Sequence, residues 1–428
     1  MLRSNKLFLL LVFGLGGCSV SPMVQPQINS LVAAEHYDYA RYVLEEHAEA
    51  YGPNNSFLYY VDYGLLQHMA GEYESSILAF DKAKRIYTQN LPKSVSKYLE
   101  SWVINDNRKP YQGAVYERLL INFFQALNFS MLSDFSAAQV EARDVDVQLR
   151  KLSSLQRSEN DLSEANAFFA RLFSGFVYAL SNDPSNLTDA LIDYEKVLKW
   201  QKKHPDDGLF NIPKFIREDI DVIKRLLHGD DADFKKRNLK GQLYVTHLVG
   251  LSPIKHQKEF IVPVFDGRVV KVAFSLLNKR LTVLNPAIVK LVNKESNKEI
   301  FSTMTPFIDI TELALANQKK KVKYAIAKAV LRTGAKYAVS KAVEDDLRED
   351  YGNTTADIFK YASNAYSVFS ENADLRSWQT LPSTIHMQRF IVEPGVYDVY
   401  IEGKLVAEDV LCTKGAKKFI VNRSNFAL

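Results

Sequence analysis

Thiolate and imidazole are the usual ligands of zinc. The sequence has two cysteines and eight histidines that could supply them. No two histidines have the His-x3-His or His-Glu-x2-His spacing, and the cysteines do not form a Cys-x2-Cys pair. The sequence also has no phosphate-binding loop of the form Gly-x4-Gly-Lys-Ser/Thr. We therefore expect neither a metal nor any other cofactor.

Ser252 and Lys255 have the Ser-x2-Lys spacing that serine acyl-transferring enzymes use. That chemistry needs the serine at the N-terminus of a helix, with the lysine one turn later. Here strand-like segments flank the pair closely, and no Ser-x-Asn or Lys-Thr-Gly partner is evident. We expect no catalytic residues and predict that the protein is not an enzyme.

Cys18 is the residue whose setting predicts a definite modification. A basic start, Met1 to Lys6, precedes an apolar run of about ten residues, which is too short for a bilayer span of roughly 20 residues and is typical of an export signal. The following Leu15-Gly16-Gly17-Cys18 resembles the lipobox of bacterial lipoproteins. The resemblance implies cleavage before Cys18 and lipid on its thiol.

The residue after the cysteine is Ser19 rather than aspartate, which favours the outer membrane by resemblance to the sorting rule of Gram-negative lipoproteins. We predict a signal peptide over 1–17 and a tether over 18–29, which is rich in Pro, Gln, Ser and Asn. The folded part would then face the periplasm, attached to the membrane through its N-terminal lipid.

Lipid on Cys18 would leave Cys412 without a partner in the same chain, so we expect no disulfide and predict that Cys412 is a small buried residue on a strand. Cleavage removes two of the 54 bases, Arg3 and Lys6, and none of the 50 acids, so the formal charge falls from +4 to +2. A nucleic-acid partner would require a much more basic domain. We therefore expect no nucleic acid to bind.

From 30 to 228 the apolar residues recur with the period of a helix. One stretch has the spacing of a tetratricopeptide repeat, Gly-x6-Gly-x-Tyr-x2-small-x3-Phe-x2-Ala, centred on Gly64, Ser76 and Phe80. In that pattern Gly64 and Ser76 let two antiparallel helices approach closely. Two weaker echoes follow, around Ala138 and Ala190. We predict an all-α domain with interrupted tetratricopeptide-like repeats, and a generic helical bundle is the alternative.

From 236 to 428 the pattern changes to alternation with period two, as in Leu243 and Val245, bounded by turn residues. Asp266-Gly267 predicts a hairpin, and Pro394-Gly395 and Gly403-Lys404 predict two further turns. We predict an antiparallel, sandwich-like β domain with a helical insert over about 311–372. The fold class expected for the whole chain is α+β.

Within that insert, the helix predicted over 317–346 has lysines at its start and acids at its end, which opposes the helix dipole. One interpretation is a basic amphipathic segment that lies on anionic lipid or docks a partner. The other is a helix of small residues packed on the sandwich with its charged ends in solvent.

Five residues are candidates for binding a partner. Three of them lie in or shortly after a polar insert, 105–113: Tyr111, Glu117 and Arg118. The mixture of aromatic and polar groups in this insert suits protein recognition. A capping or hinge role is the alternative. Arg376 and Trp378 belong to the segment Arg-Ser-Trp-x-Thr-Leu-Pro, in which Trp378 either plugs the sandwich or lines a groove.

The segments 111–143 and 374–382, with Arg389 and Pro394 to Tyr397, resemble an uncharacterised family of proteobacterial outer-membrane lipoproteins with tetratricopeptide-like N-terminal halves. The resemblance brings a domain plan and no activity. It implies a place in the cell envelope and a link to peptidoglycan synthesis, because members are often encoded beside lipoproteins that activate penicillin-binding proteins.

We therefore expect an outer-membrane lipoprotein that acts as a scaffold and binds an envelope protein through its helical repeats. The alternative is an envelope polymer-binding protein or hydrolase that uses the C-terminal domain. A deep polar cleft near 243–251 and Trp378 would favour the alternative, and a filled sandwich there would argue against it.

Overall fold

The structure is a computed structural model and describes residues 24–90, 109–154, 163–264, 266–281 and 287–424. The predicted signal peptide, Cys18 and residues 105–108 of the insert 105–113 lie outside the described residues. The fold is α+β, as predicted, with helices first and strands in the C-terminal part.

The described residues of the N-terminal half are mainly helical. The bounds of the helices are α1 Val24–Ala33, α2 Tyr37–Glu46, α3 Ser56–Met69, α4 Tyr73–Asn90, α5 Val115–Met131, α6 Phe135–Ser154, α7 Glu164–Ala179, α8 Pro184–Lys203, α9 Lys214–Leu227 and α10 Ala232–Asn238. Local signals fix several starts. Ser163 caps α7, and Asp183 followed by Pro184 caps α8.

Helices α3 and α4 form a close antiparallel pair at the residues that the sequence indicates. The Ser76 hydroxyl donates to the Gly64 carbonyl at 2.6 Å, and a Cβ on Gly64 would lie only 2.7 Å from the Phe80 ring. In α7 and α8, a Cβ on Gly175 would lie 2.7 Å from Tyr194. The close approach predicted at Gly64 and Ser76 is confirmed.

Helix α1 corrects the predicted tether. It begins at Val24, inside the range 18–29 that composition alone assigned to an extended linker. Val24, Ile28 and Val32 are buried in the helical core, and the Asn29 amide donates to Gln379 at 2.8 Å. These apolar residues recur every four positions, which outweighs the Pro and Gln content around them.

In the described residues of the C-terminal half, ten strands form three sheets. Their bounds are β1 Gly241–Val249, β2 Ile254–Pro263, β3 Val269–Asn278, β4 Ile288–Asn293, β5 Glu299–Thr303, β6 Thr305–Asp309, β7 Thr384–Val392, β8 Gly395–Ile401, β9 Lys404–Cys412 and β10 Lys417–Ser424. One sheet, here the inner sheet, has the order β10-β1-β7-β6, and the outer sheet has the order β5-β4-β8-β9. Strands β2 and β3 pair only with each other.

The inner sheet has a helical layer on one face and the outer sheet on the other. Tyr244 and Met387 belong to the core of the helical layer, whereas Leu243 and Val245 share a second core with outer-sheet residues such as Val399. Strand β1 is therefore buried on both faces along its whole length. The two halves of the chain share one continuous core, so their boundary near Asn238 is not a boundary between separate cores.

The expectation of an antiparallel sandwich needs one correction, because β1 and β10 pair in parallel. The turn at Asp266-Gly267 does join a hairpin, β2 to β3. Pro394-Gly395 instead carries the chain from the inner to the outer sheet, and Glu402 and Gly403, both with positive φ, form the turn from β8 to β9. Cys412 ends β9 as a free, buried cysteine, as predicted.

The predicted helical insert consists of α11 Ile310–Tyr351 and α12 Asn353–Ser370, with Gly352 between them. Asp309 caps α11 by accepting from the Glu312 N–H at 2.9 Å. At 42 residues, α11 is about 63 Å long. Together, α11 and α12 pack on the hairpin of β2 and β3, and these four elements are called the arm below.

Candidate functional site

Four of the five residues predicted to bind a partner meet at one place, here called the junction: Tyr111, Glu117, Arg376 and Trp378. Glu117 lies in the first turn of α5 and has no exposed surface. Its carboxylate accepts from the Trp378 N–H at 2.8 Å, the Tyr111 hydroxyl at 2.7 Å and the Ala114 N–H at 2.7 Å. One carboxylate thus joins the start of a helix to the segment before β7.

Arg376 closes the same junction from the other side. Its guanidinium lies over the Tyr111 ring, 5.1 Å from the centroid, and donates to the Asp374 carboxylate at 2.8 Å and to the Lys109 carbonyl at 2.8 Å. Burial and the nearby Glu117 carboxylate raise the pKa of Tyr111 well above its usual value, so the phenol stays a hydrogen-bond donor.

Trp378 is 1% exposed and packs on Phe80 and Phe124 of the helical layer, with ring centroids 5.9 and 6.1 Å away. Its indole N–H donates to Thr380, whose hydroxyl donates to Asp62 at 2.6 Å. Burial raises the pKa of Asp62 to about 6. Trp378 therefore fills the contact between the helices and the inner sheet, and it neither plugs the sandwich nor lines a groove.

These contacts correct the prediction for Tyr111, Glu117, Arg376 and Trp378. Their side chains are buried and bonded within the chain, so they cannot form an exposed recognition surface in this structure. Arg118 is partly exposed and lies over the Tyr87 ring, 5.4 Å from its centroid. The junction holds the two halves of the chain together.

The region that would hold a polar cleft is filled. All nine residues of β1 are buried, and Ser252 is 2% exposed. The Ser252 hydroxyl donates to the Trp378 carbonyl at 3.1 Å, while the Lys255 ammonium donates to the Arg376 carbonyl at 2.7 Å. Both side chains are thus bound to main-chain carbonyls of the junction segment, and Lys255 lies at the second position of a strand rather than on a helix.

A pocket of about 370 Å³ opens where α9 and α10 meet β7. Arg237 and Arg389 line it and both donate to the buried carboxylate of Asp219. Most of the other charged groups are paired as well, since Arg225 contacts Asp233 at 2.7 Å and Lys240 contacts Glu393 at 2.6 Å. These pairs leave the pocket little net charge with which to select an ion.

We call the described part of the chain outside the arm the body. Three histidines are buried in it: His68, His247 and His386. Burial lowers the pKa of His68, His247 and His386 to about 4, so their rings are neutral near pH 7. Within the described residues, no three His, Cys, Asp or Glu side chains come together as a metal site. The same part of the chain contains no helix long and apolar enough to cross a membrane.

An exposed apolar surface that the sequence did not indicate lies on the arm. Ile358, Tyr361 and Phe369 of α12 are 67%, 66% and 79% exposed, and Ala365 between them is exposed as well. Their spacing of three, four and four residues places them on one side of the helix. We call this side the α12 face.

The opposite side of α12 packs inward and carries several polar side chains beside the buried Ala356 and the partly buried Phe359. The Lys360 ammonium donates to the Asp266 carbonyl, the Asn364 amide donates to the Val269 carbonyl at 2.7 Å, and the Ser363 hydroxyl lies 2.7 Å from that of Ser340 on α11. The periodicity of Ile358, Tyr361, Ala365 and Phe369 was readable in the sequence, but periodicity alone does not say which side faces inward.

Comparisons with known proteins found no matching family model, no matching curated protein and no matching solved structure.

Proposed function

We propose that this chain is a lipid-anchored lipoprotein of the outer membrane that faces the periplasm and acts as a protein-interaction scaffold in the cell envelope. Cys18 carries the lipid, and the helical hairpins are tetratricopeptide-like repeats. The link to peptidoglycan synthesis rests on the family resemblance and belongs to the same proposal.

The α12 face is the observation that carries this proposal. Ile358, Tyr361 and Phe369 are large, more than half exposed and aligned on one helix. Contiguous apolar surface of this kind typically marks an interaction site, and aromatic side chains are enriched among the residues that dominate binding energy. The partner that fits is an envelope protein with an apolar helix or strip of its own.

The packing of the body also supports binding over catalysis. The alternative of a polymer-binding protein or hydrolase would use a cleft in the C-terminal half, but the region of β1 and Trp378 is filled by side chains. The candidate acyl-transfer pair, Ser252 and Lys255, is engaged by main-chain carbonyls. A scaffold needs no such cleft.

Site-specific photocrosslinking tests the binding proposal. The full chain, with a photoreactive residue in place of Tyr361, is expressed in the bacterium that encodes it. Irradiation should give a discrete adduct that mass spectrometry places in an apolar segment of one envelope protein. The matched control is Lys202, which is exposed on helix α8, outside the arm, and should give no such adduct. Equal adducts at both positions, or lipid adducts alone at Tyr361, would contradict the proposal.

A second experiment tests the anchor. Cys18→Ser should move the chain from the membrane fraction to the soluble periplasmic fraction, because lipid chains supply the membrane affinity. The control is Cys412→Ser, which changes a buried thiol in the outer sheet and should leave the membrane fraction unchanged. Membrane retention of the Cys18→Ser chain at the native level would contradict lipid anchoring there.

A further inference from the structure

Helix α11 has an exposed apolar side of its own, distinct from the α12 face. Val330, Leu331, Val339 and Val343 are 48%, 58%, 66% and 38% exposed. Gly334, Ala338 and Ala342 are exposed with them, and the space next to Gly334 is open. We call this side the α11 face.

The other side of α11 packs on the rest of the arm, which defines which way the α11 face points. Thr333 donates to the Lys271 carbonyl at 3.2 Å, and the Tyr337 hydroxyl donates to Asp266 at 3.0 Å. The α11 face is therefore directed away from the hairpin. Because small residues alternate with branched ones along it, another helix could approach its backbone closely.

The charges along α11 change sign near its C-terminal end. Between 313 and 343 the helix sequence has no acid and eight bases, at 319, 320, 321, 323, 328, 332, 336 and 341. From 344 to 350 it has five acids and one base, Arg348. Asp345, Asp346, Glu349 and Asp350 are exposed.

We propose that the α11 face binds the α11 face of a second copy of this chain, with the two helices antiparallel. In that orientation the basic cluster 319–323 of each helix lies along the acidic end, 344–350, of the other, whereas a parallel pair would bring like charges together. The charge arrangement that opposes the dipole within one helix is thus complementary between two.

A twofold axis near Ala335 gives the register. Leu331 of one copy then lies opposite Val339 of the other, and position 321 lies opposite Glu349. Such an interface is isologous and closes as a dimer rather than a filament. It uses the α11 face only, so it does not depend on partner binding by the α12 face.

Charge exchange on the full-length chain tests this pairing. Variant A is Glu349→Lys with Asp350→Lys, and variant B is Lys320→Glu with Lys321→Glu. The purified native chain should sediment at about twice its monomer mass, and each variant alone should lose at least tenfold in dimer affinity. An equimolar mixture of A and B should recover the dimer, because the exchanged charges are complementary only between the two.

Recovery in the mixture also shows that both variants fold. A native chain that stays monomeric at tens of micromolar, or a dimer that neither variant weakens, would overturn the proposal. Cysteine crosslinking tests the orientation. Ala335→Cys, on the axis, should form a homodimeric disulfide, and Asp346→Cys, far from it, should not. Efficient self-crosslinking at position 346 would indicate a parallel pair and overturn the antiparallel register.

Discussion

The Glu117 carboxylate accepts the backbone N–H of Trp378 at 2.8 Å, across 261 positions of the chain. A side chain in the first turn of α5 therefore fixes the segment that leads from the arm into β7. The helical layer and the inner sheet depend on each other at this point, so changes at the junction should lower the stability of the whole body rather than of one half.

Removing the Glu117 carboxylate should be strongly destabilising. Glu117→Ala leaves the donors on Tyr111, Ala114 and Trp378 buried without an acceptor, and we expect a loss of about 3 kcal/mol or more in the free energy of unfolding. Glu117→Gln retains one oxygen and should lose less. Glu74→Ala, in the exposed first turn of α4, is the control and should cost under about 1 kcal/mol. Denaturant titration measures all three, and equal losses at both sites would contradict this role.

Gly64→Ala should destabilise the pair of α3 and α4. The added Cβ would lie 2.7 Å from the buried Phe80 ring, which cannot move without disturbing Trp378, so we expect a loss of about 1–3 kcal/mol. Gly334→Ala is the matched helical control, because nothing lies within 4 Å of its Cβ, and it should be neutral or stabilising by up to about 1 kcal/mol. The reverse order in thermal or denaturant unfolding would show that the helices are not closely packed at Gly64.

Asp219 should matter far more than a surface acid beside the same pocket. Asp219→Asn leaves the buried guanidinium groups of Arg237 and Arg389 facing each other without their carboxylate, which should cost about 3–5 kcal/mol. Asp233→Asn removes the half-exposed pair with Arg225 and should cost at most about 1 kcal/mol. Similar unfolding free energies for the two variants would argue against a buried ion triad.

Acid should weaken the fold through the buried histidines. The pKa of His386 is lowered to about 4 from 6.5, so the stability that its neutral ring contributes is fully present above pH 6.5 and is lost as the pH falls toward 4. His386→Leu should shrink the loss of unfolding free energy between pH 7 and pH 5 by about 2 kcal/mol. Both ring nitrogens of His386 lack a partner among the described residues, so leucine removes no hydrogen bond of that part of the chain.

The control for that measurement is His36→Leu, at an exposed position before α2, which should leave the pH dependence unchanged. Asp62 acts in the opposite direction, because its raised pKa favours the protonated folded state and its effect reduces stability as the pH rises from about 4 to about 6. An unchanged pH 7 to pH 5 difference in the His386→Leu chain would show that its ring is not buried in the neutral form.

Sequence patterns predicted those features that depend on neighbours along the chain. The helix pair at Gly64 and Ser76, the hairpin at Asp266-Gly267 and the helical insert all follow from local spacing. The pairing of β1 with β10 could not be predicted, because parallel neighbours can lie far apart in sequence and no turn marks them. Composition assigned 24–29 to a linker, although its buried residues follow a helical period.

The site residues show a different limit. Tyr111, Glu117, Arg376 and Trp378 do come together, but aromatic and charged side chains of the same types serve both recognition and buried junctions, so their identity alone does not distinguish the two. The burial of these side chains distinguishes a junction from a recognition site, and burial is not evident from the sequence. The same limit hid the α12 face, whose periodicity was visible while its direction was not.

The early start of α1 limits how far the body can stand from a membrane. With lipid on Cys18, as proposed, only residues 19–23 separate the anchor from Val24. A fully extended chain gains at most about 3.6 Å per residue, so this linker is at most roughly 20 Å long. A linker of that length would keep the folded part of the chain close to the membrane. The 42-residue helix of the arm spans about three times that distance.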